Sequence, residues 1–405
     1  FRGFFNLLLC FYRYVCDDGK WEKPFRIAGY QDRLFEWDHH SIVNFMHDQW
    51  SERPQGVHCE NTKIWPFCVS GAGLGLQLYD GLYGARTDWV YERWLEYAKQ
   101  HFMGVDSRGN LDWFAFYYDP LERSMCTLRD DVGAYAAIAI TLYIMPRDRD
   151  FATRLYEMAL HKLGWGSPSS PLLQLHPDPR WLTLGLITAR ELGDDQTEKR
   201  LRQAAEAQFE PKFFGPEGDH FGWWFHFNED WPRGQLSSLM VLSELGTPGS
   251  WSRVFQQPDL GKFSAPTVSG VDFPRLGLSR CLNDPEDGVL WIETYCATRS
   301  ARGSDTAFKI TGLPDPGSVK VFLNNEEYTD WQADGSDSIT LKLSVTEQRF
   351  RVHTGHAQTT RETPEAGERR NAPSSSGTPS VTLNAETLHS AQQTLAGGGC
   401  SAGCC

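Results

Sequence analysis

Thirteen consecutive residues concentrate the chemistry of this chain: Gly56-Val57-His58-Cys59-Glu60-Asn61-Thr62-Lys63-Ile64-Trp65-Pro66-Phe67-Cys68. They set two thiols and a carboxylate among aromatic residues just ahead of a predicted helix. A thiol of pKa about 8.5 and a carboxyl of about 4.3 are each pushed towards neutrality by burial, and an aromatic wall stabilises a passing cation. Such a set makes an acid/base site inside an apolar pocket. Cys59, Cys68 and Glu60 are therefore the candidate proton-handling groups, with Trp65 and Phe67 as candidate substrate-facing rings. Each also has a plainer role. Cysteine is often buried simply as a small hydrophobe, Glu60 can pair with Lys63 or Arg53 in a turn, and Trp65 and Phe67 can be core.

The Cys59-x8-Cys68 spacing does not fit the usual zinc knuckles, and no C-x-x-C pair exists, so no metal is expected. A Cys59–Cys68 disulfide stays open. The ten cysteines, spread irregularly over 405 residues with Cys400, Cys404 and Cys405 crowded at the end, do not form a disulfide framework.

Helices must position the thiols. Up to about residue 250 apolar residues recur at helical spacing and each segment ends at Gly or Pro. Leu74–Gly84 closes on a glycine, Asp88 is placed to cap Trp89 to Lys99, and helical patterns follow at 131–144, 150–163, 179–192, 195–208 and 233–245, with Asp194-Asp195 as turn and cap. Nine or ten helices in antiparallel pairs are expected. No repeat of fixed period favours a solenoid, so the pairs read as an (α/α)6-type toroid over residues 1–263, with aromatic connections at Trp113–Asp119 and Phe221–Trp231 at its mouth. From Ser264 short alternating runs separated by Gly, Pro, Asn and Asp predict strands at 289–295, 307–310, 319–323, 339–343 and 349–352, with a hairpin at Asn324-Asn325-Glu326-Glu327. A small all-β sandwich over 264–355 follows, and the Ser-, Thr- and Gly-rich residues 356–405 read as a disordered tail.

A net charge of −13 repels phosphate backbones and anionic lipid, excluding nucleic acid and membrane surfaces as partners. The apolar run Phe4–Tyr12 lacks a cleavage pattern and reads as a core helix, and no stretch approaches the roughly 20 apolar residues of a membrane span. A cytoplasmic setting is expected. The start at Phe1, without an initiator Met, suggests missing upstream sequence.

Gly-x-x-Cys-Glu, a second Cys nine residues after the first, and a helix ending Tyr-Asp-x-x-x-Gly together resemble the linalool dehydratase/isomerase family. The matching positions are Cys59, Glu60, Cys68, Tyr79, Asp80 and Gly84, and the likeness runs on through Thr188-Ala189-Arg190-Glu191-Leu192-Gly193-Asp194 and Arg233–Leu245. The resemblance implies an (α/α)6 barrel, and a deep apolar pocket in which a terpene alcohol loses water or shifts its hydroxyl without metal or organic cofactor. It implies Cys59 and Cys68 as the proton-handling thiols, and homo-oligomers with sites near subunit contacts. Trp65 stands where the family has a Phe packed on the hydrocarbon. There are departures. Arg2-Gly3-Phe4-Phe5-Asn6 aligns with Lys-Gly-His-Leu-Asn, so Phe4 replaces a catalytic His. A family Asp and Tyr belong to helices ahead of Phe1. A pocket Trp aligns with Asp131, making Asp131 a further candidate, although Arg129-Asp130-Asp131 also reads as a capped helix start.

The small hydrophobic substrate this implies has a rival. Gly222-Trp223-Trp224-Phe225-His226-Phe227-Asn228-Glu229-Asp230-Trp231 places indoles beside carboxylates, as in carbohydrate enzymes on (α/α) toroids, with Trp223 and Trp224 shaping the cavity on either reading. No acid pair is nominated, however. A third reading is an inactive, truncated family member whose open toroid exposes apolar surface.

Overall fold

A computed structural model describes residues 2–60, 62–166, 175, 178–209, 211–214, 220–223, 225 and 233–354. Among these residues there are ten α-helices: α1 (Arg2–Cys16), α2 (His39–Ser51), α3 (Pro66–Tyr83), α4 (Trp89–His101), α5 (Asp130–Ile144), α6 (Arg149–Leu163), α7 (Pro179–Leu192), α8 (Asp195–Gln208), α9 (Arg233–Leu245) and α10 (Ser250–Gln256). Local signals set most of their ends. Pro66 opens α3 at the position where its missing N–H costs nothing, and Gly84, Gly164 and Gly193 stop α3, α6 and α7 with φ of 66°, 66° and 76°. Asp194 accepts the Thr197 amide at the start of α8 as expected, but the Asp88 side chain does not cap α4. It is drawn instead to Arg147 at 2.8 Å, while Asp80 holds its amide.

The odd-numbered helices form a row, α1 on α3, α3 on α5, α5 on α7 and α7 on α9, and α6 and α8 back α5 and α7. α3 is buried on nearly every face, and its glycines admit the neighbours: a Cβ on Gly71 would meet the Phe4 ring at 2.6 Å, one on Gly73 the Tyr91 ring at 2.1 Å, and one on Gly75 Asn6 at 2.8 Å. Trp50, Tyr91 and Trp94, fully buried around it, each stabilise the core by roughly 1.5–3 kcal/mol or more. The short α10 lies across the far ends of the row. Its Trp251 indole donates to the Leu142 carbonyl, its first amides donate to the Glu191 carboxylate, and Phe11 rings against Trp251 and Phe255. α1, α3, α5 and α7 therefore run in the same direction, with α10 at their C-terminal halves. The outermost helices of the row expose apolar side chains, Leu8 and Val15 on α1 and Val241, Leu242 and Leu245 on α9.

Three small antiparallel sheets interrupt the helices: β1 (Phe25–Ala28) with β2 (Leu34–Trp37); β3 (Met103–Val105), β4 (Leu111–Asp119) and β5 (Ser124–Arg129); and β6 (Pro211–Phe214) with β7 (His220–Trp223). The expected connection at Trp113–Asp119 is thus strand β4. Its alternation is broken by a bulge between Ala115 and Tyr117, which hides it from a period-two pattern. Of the expected connection Phe221–Trp231, residues 221–223 belong to β7, and 224 and 226–231 lie outside the described residues.

Beyond α10 the elements of the described residues are, apart from three short 3-10 turns, strands: β8 (Thr267–Ser269), β9 (Leu276–Asp284), β10 (Val289–Cys296), β11 (Asp305–Thr311), β12 (Lys320–Leu323), β13 (Glu326–Glu327), β14 (Trp331–Ala333), β15 (Ile339–Ser344) and β16 (Gln348–His353). They form two antiparallel sheets, ordered β13-β12-β16-β10-β9 and β14-β15-β11-β8, which share one apolar core that includes Leu290, Ile292, Phe308, Ile310, Leu341 and Phe350. The β12–β13 hairpin turns on Asn324 and Asn325, both at positive φ, and Glu326 and Glu327 are already strand. The expected tail, 356–405, lies outside the described residues. Among the described residues no helix is long and apolar enough to cross a membrane.

Candidate active site

The thiol segment leaves α2, turns, and enters α3. Cys59 donates its amide to the Lys63 carbonyl and Lys63 its amide to the Glu60 carbonyl, closing a tight hairpin whose far arm, Ile64, pairs with Tyr118 of β4 through two 2.9 Å backbone hydrogen bonds. Cys68 follows in the first turn of α3. Both thiols are half-buried, and neither is in a disulfide. Cys59 hydrogen-bonds Cys68 side chain to side chain and also accepts the Trp65 amide, and the Cys68 contact is the largest of the influences that lower the Cys59 thiol, while burial and the Glu60 charge oppose them.

Aromatic rings wall the pair. Phe4, Phe67 and Tyr143 form a triangle with centroids 5.7, 6.1 and 5.2 Å apart, and Phe4 lies over Gly71 one turn into α3. Tyr143 is pushed up to about 12, chiefly by burial and secondarily by the charge of Cys68, so its hydroxyl stays protonated at neutral pH. Trp65 sets its ring against Phe116 at 4.5 Å and Tyr117 at 5.2 Å, and its indole N–H is buried without a partner among the described residues.

The remaining candidates sit apart. Glu60 is exposed, not buried as the sequence suggested, and Lys63 turns to Asp119 instead of Glu60. Asp131 is exposed at the start of α5, where its charge is felt by Tyr135. Twelve residues of helix, roughly 18 Å, separate it from Tyr143, the α5 residue that reaches Cys68, so the structure does not bring Asp131 to the thiols. Trp223 stacks on Phe225, which in turn packs on Phe209. Trp224 lies outside the described residues. Two surface hollows of about 410 and 450 Å³ lie elsewhere, the first beside Lys99 and Phe151, the second beside Gln77 and Asp80.

Two residues near the thiols carry no local signal of their role. Tyr143 arrives from α5. Asp119, 3 % exposed, accepts from Lys63 Nζ at 3.2 Å and Thr62 Oγ1 at 3.3 Å. The Asp119-Pro120 dipeptide marks a turn in the sequence, but not what its carboxylate holds.

A third thiol, Cys10, has a different setting. It is fully buried between α1, α2 and α3, donates to the Gly75 carbonyl at 3.4 Å and to Asn6 Oδ1 at 3.6 Å, and lies 3.6 Å from His39 Nε2. Burial holds the Cys10 thiol far above its ordinary value and pushes His39 down to about 3.

The class so defined is a mainly helical body with a hydrogen-bonded thiol pair at the head of a buried helix, followed by an antiparallel β region. The linalool dehydratase/isomerase family matches residues 1–220, more than half of the sequence, and the chain belongs to that family. No curated protein matches it. Among solved structures it is similar to a GH127 β-L-arabinofuranosidase from Geobacillus stearothermophilus T6, at 9% identity and TM-score 0.18 over 72% of this chain and 42% of that one. A second, described as a glycoside hydrolase, shows 9% identity and TM-score 0.18 over 71% and 46%. The chain thus spans less than half the length of either.

Proposed function

We propose that the chain eliminates water from, or shifts the hydroxyl of, a small hydrophobic terpenoid-like alcohol, or isomerises the double bond of such an alkene, with Cys59 and Cys68 moving the protons and no cofactor taking part. The observation that carries the reading is the side-chain hydrogen bond between Cys59 and Cys68 at the head of buried α3, with the Trp65 amide also donating to Cys59. In the elimination direction Cys68–SH gives its proton to the hydroxyl as the C–O bond breaks, and Cys59 as thiolate takes a proton from the neighbouring carbon as the double bond forms. Water and alkene leave. The proton on Cys59 then returns to Cys68 through their hydrogen bond, restoring the starting state. Positive charge building on carbon faces the Phe4, Phe67 and Tyr143 rings and Trp65. We read the helical row as part of an (α/α)6 toroid on residues 1–263, to which 264–355 append a sandwich. Glu60 and Asp131, both exposed, are secondary candidates for proton exchange with solvent.

The test is turnover. Purified protein is incubated with acyclic terpenoid alcohols and, separately, with oligosaccharides, and products are followed for wild type and Cys68→Ala. Conversion of an alcohol that Cys68→Ala abolishes supports the reading. Sugar cleavage indifferent to that change transfers the protein to the carbohydrate class.

A further inference from the structure

We propose that Asp119 is a positioning residue for the thiol pair, its buried carboxylate fixing the hairpin that carries Cys59 and so setting the Cys59–Cys68 contact. The inference rests on the reading of the two thiols as the proton-handling pair.

The two thiols are held by unlike means. Cys68 rides on α3, whose first turn is anchored by buried Pro66 and Val69. Cys59 sits on a hairpin outside any named strand or helix, and its position is only as firm as the hairpin's attachments to β4. One attachment is the Ile64–Tyr118 backbone pair. Rings add to it, Trp65 packing on Phe116 and Tyr117, and the polar attachment is Asp119, whose two oxygens divide the work. Oδ1 accepts the Leu121 and Glu122 amides at 3.0 and 3.3 Å and closes its own turn, while Oδ2 takes Lys63 Nζ and Thr62 Oγ1 from the hairpin tip. A carboxylate that only capped a turn would have no use for the second set.

The linkage continues to the sulfur. Lys63 Nζ lies 5.5 Å from the centre of the Tyr117 ring, Tyr117 packs on Trp65, and the Trp65 amide donates to Cys59. Burial alone would raise the Asp119 carboxyl, but the Glu122 and Leu121 amides and the Lys63 ammonium outweigh it and keep it ionised. Displacing the hairpin by about 1 Å would break the donor contacts to Cys59, and errors of that size in catalytic groups cost on the order of 100-fold in rate.

The test uses the full chain and a readout independent of turnover. Iodoacetamide alkylation of Cys59 is timed by peptide mass spectrometry from neutral to alkaline pH, with folding checked by circular dichroism. Asn at position 119 offers one acceptor oxygen where two are in use. Asp119→Asn and Lys63→Met are expected to slow alkylation at neutral pH about tenfold, moving its midpoint up by about one pH unit. Lys63→Arg, which keeps a cation on Asp119, restores most of the wild-type rate. An unchanged Cys59 profile in folded Asp119→Asn and Lys63→Met overturns the proposal, and if Asp119→Asn does not fold, Lys63→Met against Lys63→Arg decides. A shifted profile in a protein whose wild type converts no terpenoid alcohol removes the functional reading and leaves the positioning role standing.

Discussion

Cys10 and the Cys59–Cys68 pair meet the same helix about two turns apart, Cys10 at Gly75 and Cys68 seven residues earlier, and their surroundings push a thiol in opposite directions. Cys10 is fully buried, which with the nearby Asp80 charge favours S–H, and its contacts, the Gly75 carbonyl and the Asn6 amide oxygen, are acceptors. Cys59 meets donors, Cys68 and the Trp65 amide, which favour the thiolate against its partial burial. Burial dominates at Cys10 and the contact with a donor dominates at Cys59, and that balance separates a thiol held protonated from one drawn towards the thiolate.

The largest expected effect breaks the reactive side. Cys68→Ala removes the main influence that lowers Cys59, so Cys59 alkylation at neutral pH should slow and turnover should fall by about a hundred- to ten-thousand-fold, the usual range for a lost proton-transfer group. Cys10→Ala should leave the Cys59 alkylation rate where it is. Equal slowing by both substitutions would mean that the two sites are not distinct.

The next effect belongs to the Cys10 side and appears in pH. His39, 1 % exposed, titrates at about 3 when folded against an ordinary 6.5, so the unfolded chain binds a proton the native one refuses between those values. Stability should be intact above 6.5 and fall as pH drops, by about 1.4 kcal/mol per unit from this group alone. Asp80 acts with the opposite sign, because burial raises it from 3.8 to about 6 and the folded chain then holds the extra proton between those values. The slope due to His39 is therefore cleanest between about 6 and 6.5. Urea unfolding followed against pH should show it flattened in His39→Gln, with Cys59 alkylation unaltered. An unchanged slope would contradict the assignment.

The difference between the two regions was only partly legible. Helices α3 to α9 announce themselves through Gly stops, Asp and Pro starts and apolar spacing, all of which act within a few residues. α2 carries the same signals, Asp38 as cap and Ile42, Val43, Met46 and Trp50 at helical spacing, in a segment crowded with His and polar residues. α10 is too short for two turns of periodicity, so its packing across the row decides its form. At the site, the thiol pair is visible because its members are nine positions apart, whereas the Asp119 contacts span 56 and 57 residues and those of Tyr143 more than that. Positional alignment nominated Asp131, but the length of α5 carries it away from the thiols. Beyond α10 the strands β10, β11, β12, β15 and β16 are legible, whereas β8, β13 and β14, two or three residues long, are too short to alternate, and β9 is hidden by a pairing with β10 that shifts register between Glu293 and Thr294.

The smallest effect sharpens the comparison by perturbing each side with the same added methyl group. Gly71 lies under Phe4, and a Cβ there comes to 2.6 Å of a ring held between Phe67 and Tyr143. Gly75, one turn on, would place its Cβ 2.8 Å from Asn6 Nδ2 and 3.2 Å from the Leu7 backbone, among the residues that hold Cys10 and His39. Each Gly→Ala change overpacks the α1–α3 contact and should cost about 1–3 kcal/mol in chemical unfolding, more at Gly75 because backbone yields less readily than the far edge of a ring. Their side effects should diverge. Gly71→Ala shifts the aromatic triangle and should alter Cys59 alkylation while leaving the His39-dependent pH slope intact. Gly75→Ala should change that slope and spare Cys59. If both variants move both readouts together, α3 transmits strain along its whole length, and the two thiol environments are one coupled unit.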